Sequence, residues 1–99
     1  MKKLFISQPM NGKTDEEIIS VRCNAIDRAA FQMQDEIEVL DTFIVNAPEK
    51  AKPLWYLGES LKMMADADVA FFAKGWQNAR GCRIEHEAAV AYGVEVLYE

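Results

Sequence analysis

One carboxylate falls where the sequence predicts the apolar side of a helix. Residues 81–92 have helical spacing, and a projection at about 100° per residue places Glu85 within the apolar arc. That arc consists of Ile84, Ala88, Ala89, Ala91 and Tyr92. The opposite side, predicted to be solvated, consists of Arg83, His86 and Glu87. A carboxylate in the first helical turn lies near free backbone N–H groups and tends to stay ionised, so Glu85 could act as a nucleophile at a sugar carbon. It could equally be a structural glutamate, satisfied by the helix start or by an arginine.

Cys82 and His86 form a second candidate pair, because they lie one helical turn apart. A cysteine at a helix N-terminus has a lowered pKa, which would favour a thiolate nucleophile. The alternative is a small buried cysteine beside a surface histidine. Arg22 projects into the apolar stripe of an earlier helix, where it could contact an anion, pair with Glu85 or extend to solvent. No second His or Cys lies at ligand spacing, so we predict no metal site.

The segment from Ser7 to Thr14 is one residue short of the phosphate-binding P-loop pattern, with Ser7 in place of the first glycine. Residues 39–41, Val-Leu-Asp, resemble the magnesium-binding strand end that accompanies such loops. Pro9, however, removes an N–H group from a loop whose function is to present N–H groups. The alternative is an ordinary strand-to-helix turn in which Thr14 caps the helix.

Composition limits the class of protein and its partners. The 99 residues are 51% hydrophobic, which suits one core and therefore one domain over residues 1–99. The net charge of −5, without a lysine or arginine cluster, argues against nucleic acid as a partner. The first apolar run is too short for a signal peptide or membrane span, so we expect a cytoplasmic protein with no membrane partner. Cys23 and Cys82 do not make a disulfide framework, so free thiols are expected.

The candidate residues are positioned by four β-like segments that alternate with three helical ones. This alternation is typical of parallel βαβ units, and it predicts an α/β, three-layer, flavodoxin- or Rossmann-like sheet in the order 2-1-3-4. The predicted strands are Lys3–Ser7, Glu38–Phe43, Asp68–Ala73 and Val94–Tyr98. The predicted helices run from Thr14 to about Gln34, from Pro53 onwards, and from Gly81 to Tyr92.

The ends and faces of these helices follow from local signals. Thr14 and Glu17 form a capping box, and Gly93 suits a left-handed cap after the third helix. The core face of the second helix is predicted to consist of Leu54, Leu57, Leu61, Met64 and Ala65. Its off-core side carries Trp55, Tyr56 and Met63, and exposed aromatics of this kind favour a homodimer through this helix, or a higher homo-oligomer.

Ligands of open parallel sheets bind beyond the carboxyl ends of the strands. Those ends are followed here by residues 7–12, 42–48 and 75–85, all polar or containing glycine. Residues 44–52 form one long connection that could make one wall of the site. Trp76 could stack on a base there or could anchor the loop by hydrophobic contact. We therefore predict a small-molecule site at this edge, with Glu85 at the floor of a cleft and facing Met10 or Ser7.

Three segments resemble the nucleoside 2-deoxyribosyltransferase superfamily, and more closely its small bacterial and phage branch. Residues 6–12 (ISQPMNG) are similar to its first-strand turn, and residues 63–71 (MMADADVAF) to its entry into the third strand. Residues 75–93 (GWQNARGCRIEHEAAVAYG) resemble the segment in which a glycine precedes the nucleophilic glutamate. The resemblance spans nearly the whole chain and places that nucleophile at Glu85.

The resemblance implies cleavage or transfer of the N-glycosidic bond of a nucleoside or nucleotide, without a cofactor. The substrate-binding residues that it implies are Ser7, Gln8, Met10, Asn11, Gly12, Ser60, Gly75, Trp76 and Gly81. Ser60 stands where transferases of the family keep an aspartate that orients the substrate, and Ala79 stands where relatives often have serine. The alternative is therefore a non-catalytic module that binds a nucleotide-like metabolite in the same cleft.

Overall fold

The computed structural model describes residues 1–40 and 47–99, which form a parallel sheet covered by helices on both faces. The strands are β1 (Lys2–Ser7), β2 (Ile37–Val39), β3 (Val69–Phe72) and β4 (Glu95–Tyr98). The helices are α1 (Asp15–Met33), α2 (Pro53–Met64) and α3 (Arg80–Ala91), with a 3-10 turn at Trp76–Asn78. All three strand pairings are parallel and the order is β2-β1-β3-β4, so the predicted Rossmann-like topology is confirmed. The last residues of the predicted second strand, and residues 44–46 of the predicted long connection, lie outside the described part.

The two central strands are apolar because both of their faces are covered. Leu4 and Ile6 of β1 face α1, where they pack with Ala25, Ala29 and Phe71. Phe5 lies between them in sequence and therefore points to the opposite face, towards Met64 of α2 and Ala89 of α3. The alternation puts one core cluster on each side of the sheet, as helices on both faces of a parallel sheet require.

The helix ends form as the sequence predicts. The backbone N–H of Glu17 donates to Thr14 Oγ1 at 3.1 Å, and the N–H of Thr14 donates to Glu17 Oε1 at 3.3 Å, which completes the capping box of α1. Gly93 follows α3 with φ +75°, a left-handed conformation that favours glycine. Within residues 1–40 and 47–99, the helices are all too short or too polar to cross a membrane.

The apolar faces predicted for α2 and α3 are wider than the faces that these helices bury in the structure. Met64 is buried and Leu57 and Leu61 are half-buried, but Leu54 is 76% exposed and Ala65 is also exposed. Met63, predicted to lie off the core, packs against the core cluster around Phe5. The buried residue of α2 is in its last turn, so its C-terminal half covers the sheet and its first turn does not.

The same correction applies to α3. Ala89 is buried, but Ile84 is 41% exposed, Tyr92 is 87% exposed and Ala91 is exposed. The helix therefore contacts the sheet along a narrower stripe than its apolar arc.

Candidate functional site

A cleft of about 760 Å³ lies beyond the carboxyl ends of β1 and β3. Its walls are the loop after β1, one face of α2, the loop after β3 and the beginning of α3. The position at the strand ends agrees with the prediction, and the volume is in the range of small-molecule sites, roughly 300–1,000 Å³.

Most of the residues predicted to bind substrate line this cleft. Those that do are Ser7, Gln8, Met10, Asn11, Ser60, Gly75 and Gly81, together with Glu85. Gly12 and Trp76 are not among the described lining residues. Gly12 takes φ +76° within the turn that leads to α1, so its role is to let the backbone turn.

Ser7 and Glu85 meet at the floor of the cleft although 78 residues separate them in the chain. The Ser7 hydroxyl donates to Glu85 Oε1 at 2.6 Å. Ser7 is the last residue of β1 and is only 2% exposed, the one fully buried polar side chain among the described residues. A short bond from a hydroxyl to a carboxylate is charge-assisted and fixes the orientation of the acceptor. Glu85 was predicted to face Met10 or Ser7, and the hydrogen bond shows that it faces Ser7.

Burial raises the pKa of Glu85, and hydrogen bonds from the hydroxyls of Ser7 and Ser60 partly offset that rise. We expected the first turn of the helix to stabilise the ionised form of Glu85. This expectation is wrong, because α3 begins at Arg80 and its first turn contains no acidic residue. Glu85 is the sixth residue of the helix, beyond the reach of the free N–H groups. Two hydroxyls, rather than the helix dipole, are what favour its charged form.

Cys82 is buried beside this pair and also lines the cleft. Burial raises the pKa of the Cys82 thiol. A hydrogen bond with Ser7 partly offsets this rise, and the negative charge of Glu85 raises the pKa further. The sequence predicted a lowered pKa, and that prediction is wrong because desolvation and a neighbouring carboxylate oppose the helix terminus. A neutral thiol is a poor nucleophile, so the geometry favours the alternative of a small buried cysteine.

His86 was predicted to be solvated, but it lies half-buried among aromatic rings outside the cleft. Its ring stacks on Trp76 with centroids 4.0 Å apart, and its Nε2 is 2.6 Å from the Tyr98 hydroxyl oxygen. Phe72 packs edge-on against both His86 and Trp76. Trp76 also packs against the core cluster around Phe5, so the structure places it as the hydrophobic loop anchor rather than as a wall of the cleft.

Gly75 opens the loop that this aromatic cluster anchors. It takes φ +90°, a conformation that side chains other than glycine rarely adopt. A Cβ atom there would lie 3.8 Å from Cγ of Pro9, so the loops after β1 and β3 are neighbours at the cleft.

Tyr56 is the lining residue that sequence reasoning missed, because its exposure suggested a subunit interface. It stands one helical turn before Ser60, and both side chains line the cleft. The spacing of four residues was the available signal, since such residues share one face of a helix. Asn78 and Arg80 also line the cleft, at the beginning of α3 and just before it.

Two other candidates lie away from the cleft. Lys13 does not line the cleft but a neighbouring depression beside the start of α1, and Thr14 caps that helix, as the alternative to a P-loop predicts. Asp41 lies outside the described residues. Arg22 is half-buried and does not line the cleft. Residues 1–40 and 47–99 contain no group of three or more His, Cys, Asp or Glu side chains that could hold a metal ion.

The fold and the cleft define the class: an α/β protein with a parallel sheet and a cleft of small-molecule size at its strand ends, with one carboxylate at the floor. A family model described as a domain of unknown function (DUF4406) matches residues 2–98, nearly the whole chain, and the chain belongs to that family. No curated protein matches the chain, and no solved structure does either.

Proposed function

We propose that the protein cleaves or transfers the N-glycosidic bond of a nucleoside or nucleotide, with Glu85 as the nucleophile. The observation that carries this proposal is the Ser7–Glu85 pair, a half-buried carboxylate held by a 2.6 Å hydrogen bond at the floor of the cleft. The resemblance of residues 75–93 to the segment that contains the nucleophile in nucleoside 2-deoxyribosyltransferases supports the choice of reaction.

The chemistry needs one protein group, the Glu85 carboxylate, together with water from the solvent. A carboxylate oxygen of Glu85 forms a bond to the anomeric carbon while the bond from that carbon to the base nitrogen breaks. The base leaves with the electron pair and takes a proton from water. In hydrolysis, an oxygen of water then bonds to the anomeric carbon and gives up a proton to solvent while the bond from that carbon to the Glu85 oxygen breaks, which frees the sugar and restores the carboxylate. In transfer, an N–H nitrogen of a second base bonds to the anomeric carbon instead and loses its proton to solvent.

The attacking form of Glu85 is the carboxylate, and burial raises its pKa. A larger fraction of the side chain is therefore protonated at mildly acidic pH than for an exposed glutamate. We expect the rate to increase with pH through the raised pKa of Glu85. The hydroxyls of Ser7 and Ser60 lower the pKa of Glu85, so a larger fraction of the nucleophile stays charged than burial alone would allow.

The second candidate is a binding module that holds a nucleotide-like metabolite without turnover. Ser60 supports it, because this residue lines the cleft where transferases of the superfamily keep an orienting aspartate. A serine hydroxyl can hydrogen-bond a sugar, but it cannot supply the negative charge of the aspartate.

The test is an assay for release of free base from purine and pyrimidine nucleosides and from their 5′-phosphates, with chromatography to detect the base. Glu85→Gln keeps the size and the acceptor for Ser7 but loses the charge, so it should still bind ligand while base release stops. Glu87→Gln, on the exposed side of the same helix, is the matched control and should release base as the wild type does. Binding without release by the wild type would favour the binding module. Tighter binding of a nucleoside triphosphate with magnesium, abolished by Lys13→Ala, would favour the P-loop alternative instead.

A further inference from the structure

We infer that Tyr56 and Met10 form the subsite for the heteroaromatic ring of the substrate. This inference rests on the proposed function and adds to it which end of the substrate each part of the cleft holds. Met10 is 51% exposed and Tyr56 is 42% exposed, and both line the cleft that has Ser7 and Glu85 at its floor. Large apolar side chains that are exposed inside a concave site are surfaces for a ligand to cover.

Tyr56 is the aromatic ring available for this contact. The other aromatic side chain among the described lining residues, Phe5, is 1% exposed and belongs to the core. The ring of Trp76 already stacks on His86, 4.0 Å away, outside the cleft. The sequence suggested that Trp76 stacks on a base, but Trp76 lies outside the cleft, so we assign base stacking to Tyr56 instead.

The Tyr56 ring has a neighbour that limits its movement. It packs against Trp55 in an edge-to-face arrangement, with centroids 5.2 Å apart and planes at 89°. Aromatic pairs of this geometry attract each other, and a ring that is already ordered loses less side-chain entropy when a ligand stacks on it.

The spacing along α2 matches the two ends of a nucleoside. Tyr56 and Ser60 are four residues apart, a rise of about 6 Å in an α-helix. Ser60 lines the same cleft as Ser7 and Glu85, and its hydroxyl lowers the pKa of the Glu85 carboxyl, so it lies on the side of the cleft that holds Glu85. A nucleoside can therefore place its sugar at Ser60 and Glu85 while its base lies one helical turn away, between Tyr56 and the loop that carries Met10.

The experiment compares ligands with and without the ring on matched variants. Binding of adenosine, thymidine, adenine and ribose 5-phosphate is measured by calorimetry on the wild type, Tyr56→Leu, Tyr56→Phe and Tyr92→Leu. Tyr92 is 87% exposed and does not line the cleft, so Tyr92→Leu controls for the loss of a surface tyrosine. Thermal unfolding of each variant confirms that it folds.

Tyr56→Leu should weaken the binding of adenosine and of thymidine at least tenfold, because the stacking of the base on an aromatic side chain is lost. Tyr56→Phe should restore most of that affinity, and ribose 5-phosphate should bind equally to all four proteins. If the wild type binds nucleosides and Tyr56→Leu binds them as tightly, the inference is overturned while the proposed function stands. Equal losses in Tyr56→Phe and Tyr56→Leu would also overturn it, because the hydroxyl would then be the contact. A third outcome is that the wild type binds adenine, that Tyr56→Leu does not bind adenine, and that base release is never detected. The ring subsite would then stand, and the proposed glycosidic function would fail.

Discussion

Replacing Glu85 with glutamine should make the protein more stable at neutral pH, because the wild type keeps a carboxyl with a raised pKa in a partly buried site. A folded state with a raised carboxyl pKa holds a proton that the unfolded chain has already lost. Stability therefore decreases as the pH rises from the ordinary value of 4.5 through the raised pKa, and the loss persists at higher pH. Glutamine does not titrate, so Glu85→Gln lacks this loss.

The size of the effect follows from the pKa of the folded state. Each pKa unit corresponds to about 1.4 kcal/mol in the free energy of unfolding. A change of 1 kcal/mol moves the melting temperature of a chain of this size by roughly 4–8 °C. The melting temperature of Glu85→Gln at pH 8 should therefore exceed that of the wild type, by several degrees for each pKa unit by which burial raises the pKa of the Glu85 carboxyl. Glutamine can still accept the hydrogen bond from Ser7, so little is lost in exchange.

The assay is thermal unfolding of the wild type, Glu85→Gln and Glu87→Gln at half-unit intervals from pH 4 to pH 8. The difference in melting temperature between Glu85→Gln and the wild type should increase with pH. Glu87 is exposed on the same helix, so Glu87→Gln should follow the wild type. A variant at position 85 that is less stable than the wild type by the same amount at every pH would show that the carboxylate is a net stabilising, structural group.

Three further changes have defined outcomes. Ser7→Ala removes a hydroxyl that lowers the pKa of Glu85, so the rising limb of the pH–rate profile should move to higher pH; an unchanged limb would contradict the assignment of the nucleophile. Thr14→Ala removes the side chain that caps α1 and should cost about 1 kcal/mol in the free energy of unfolding by urea titration, with no change in ligand affinity. A homodimer through α2 should scatter light as twice the chain mass, and Leu54→Asp, at a 76% exposed position, should convert it to a monomer; a wild type that is monomeric at high micromolar concentration would count against the dimer.

The fold was predictable because its signals are local. Four apolar strand segments, a capping box and a terminal glycine each act within a few residues, and right-handed crossovers then leave few sheet orders. What periodicity could not predict was how far each helix overlaps the sheet. Leu54 and Ile84 have the spacing of core residues but are exposed. The first turn of α2, which carries Leu54, is not covered by the sheet, and α3 packs along a narrow stripe that includes Cys82 and Ala89 but not Ile84. That overlap depends on strand lengths and helix placement, which are tertiary quantities.

The candidate site was predictable where one strand end meets one helix face, and less so where several segments converge. Ser7 and Glu85 each carried a signal, the first as the end of a buried strand and the second as a charge in an apolar arc. His86 carried no such signal, because its neighbours Trp76 and Tyr98 come from a loop and a strand that only the fold brings together. Tyr56 was not predicted to line the cleft, because exposure suggests an interface and a cleft equally well until the geometry is known.

The two structural explanations first open for Glu85 were a helix start and an arginine. The helix start is too far away, since Glu85 is the sixth residue of α3. In residues 1–40 and 47–99, no lysine or arginine forms an ion pair with it. Its partners there are hydroxyls, which favour the charge less than a cation does, and burial still raises its pKa. A carboxylate selected only for stability would be expected on the surface or beside a cation. A half-buried carboxylate that has a raised pKa and faces a cleft is better explained by what enters that cleft, and this is why Glu85 carries the proposed function.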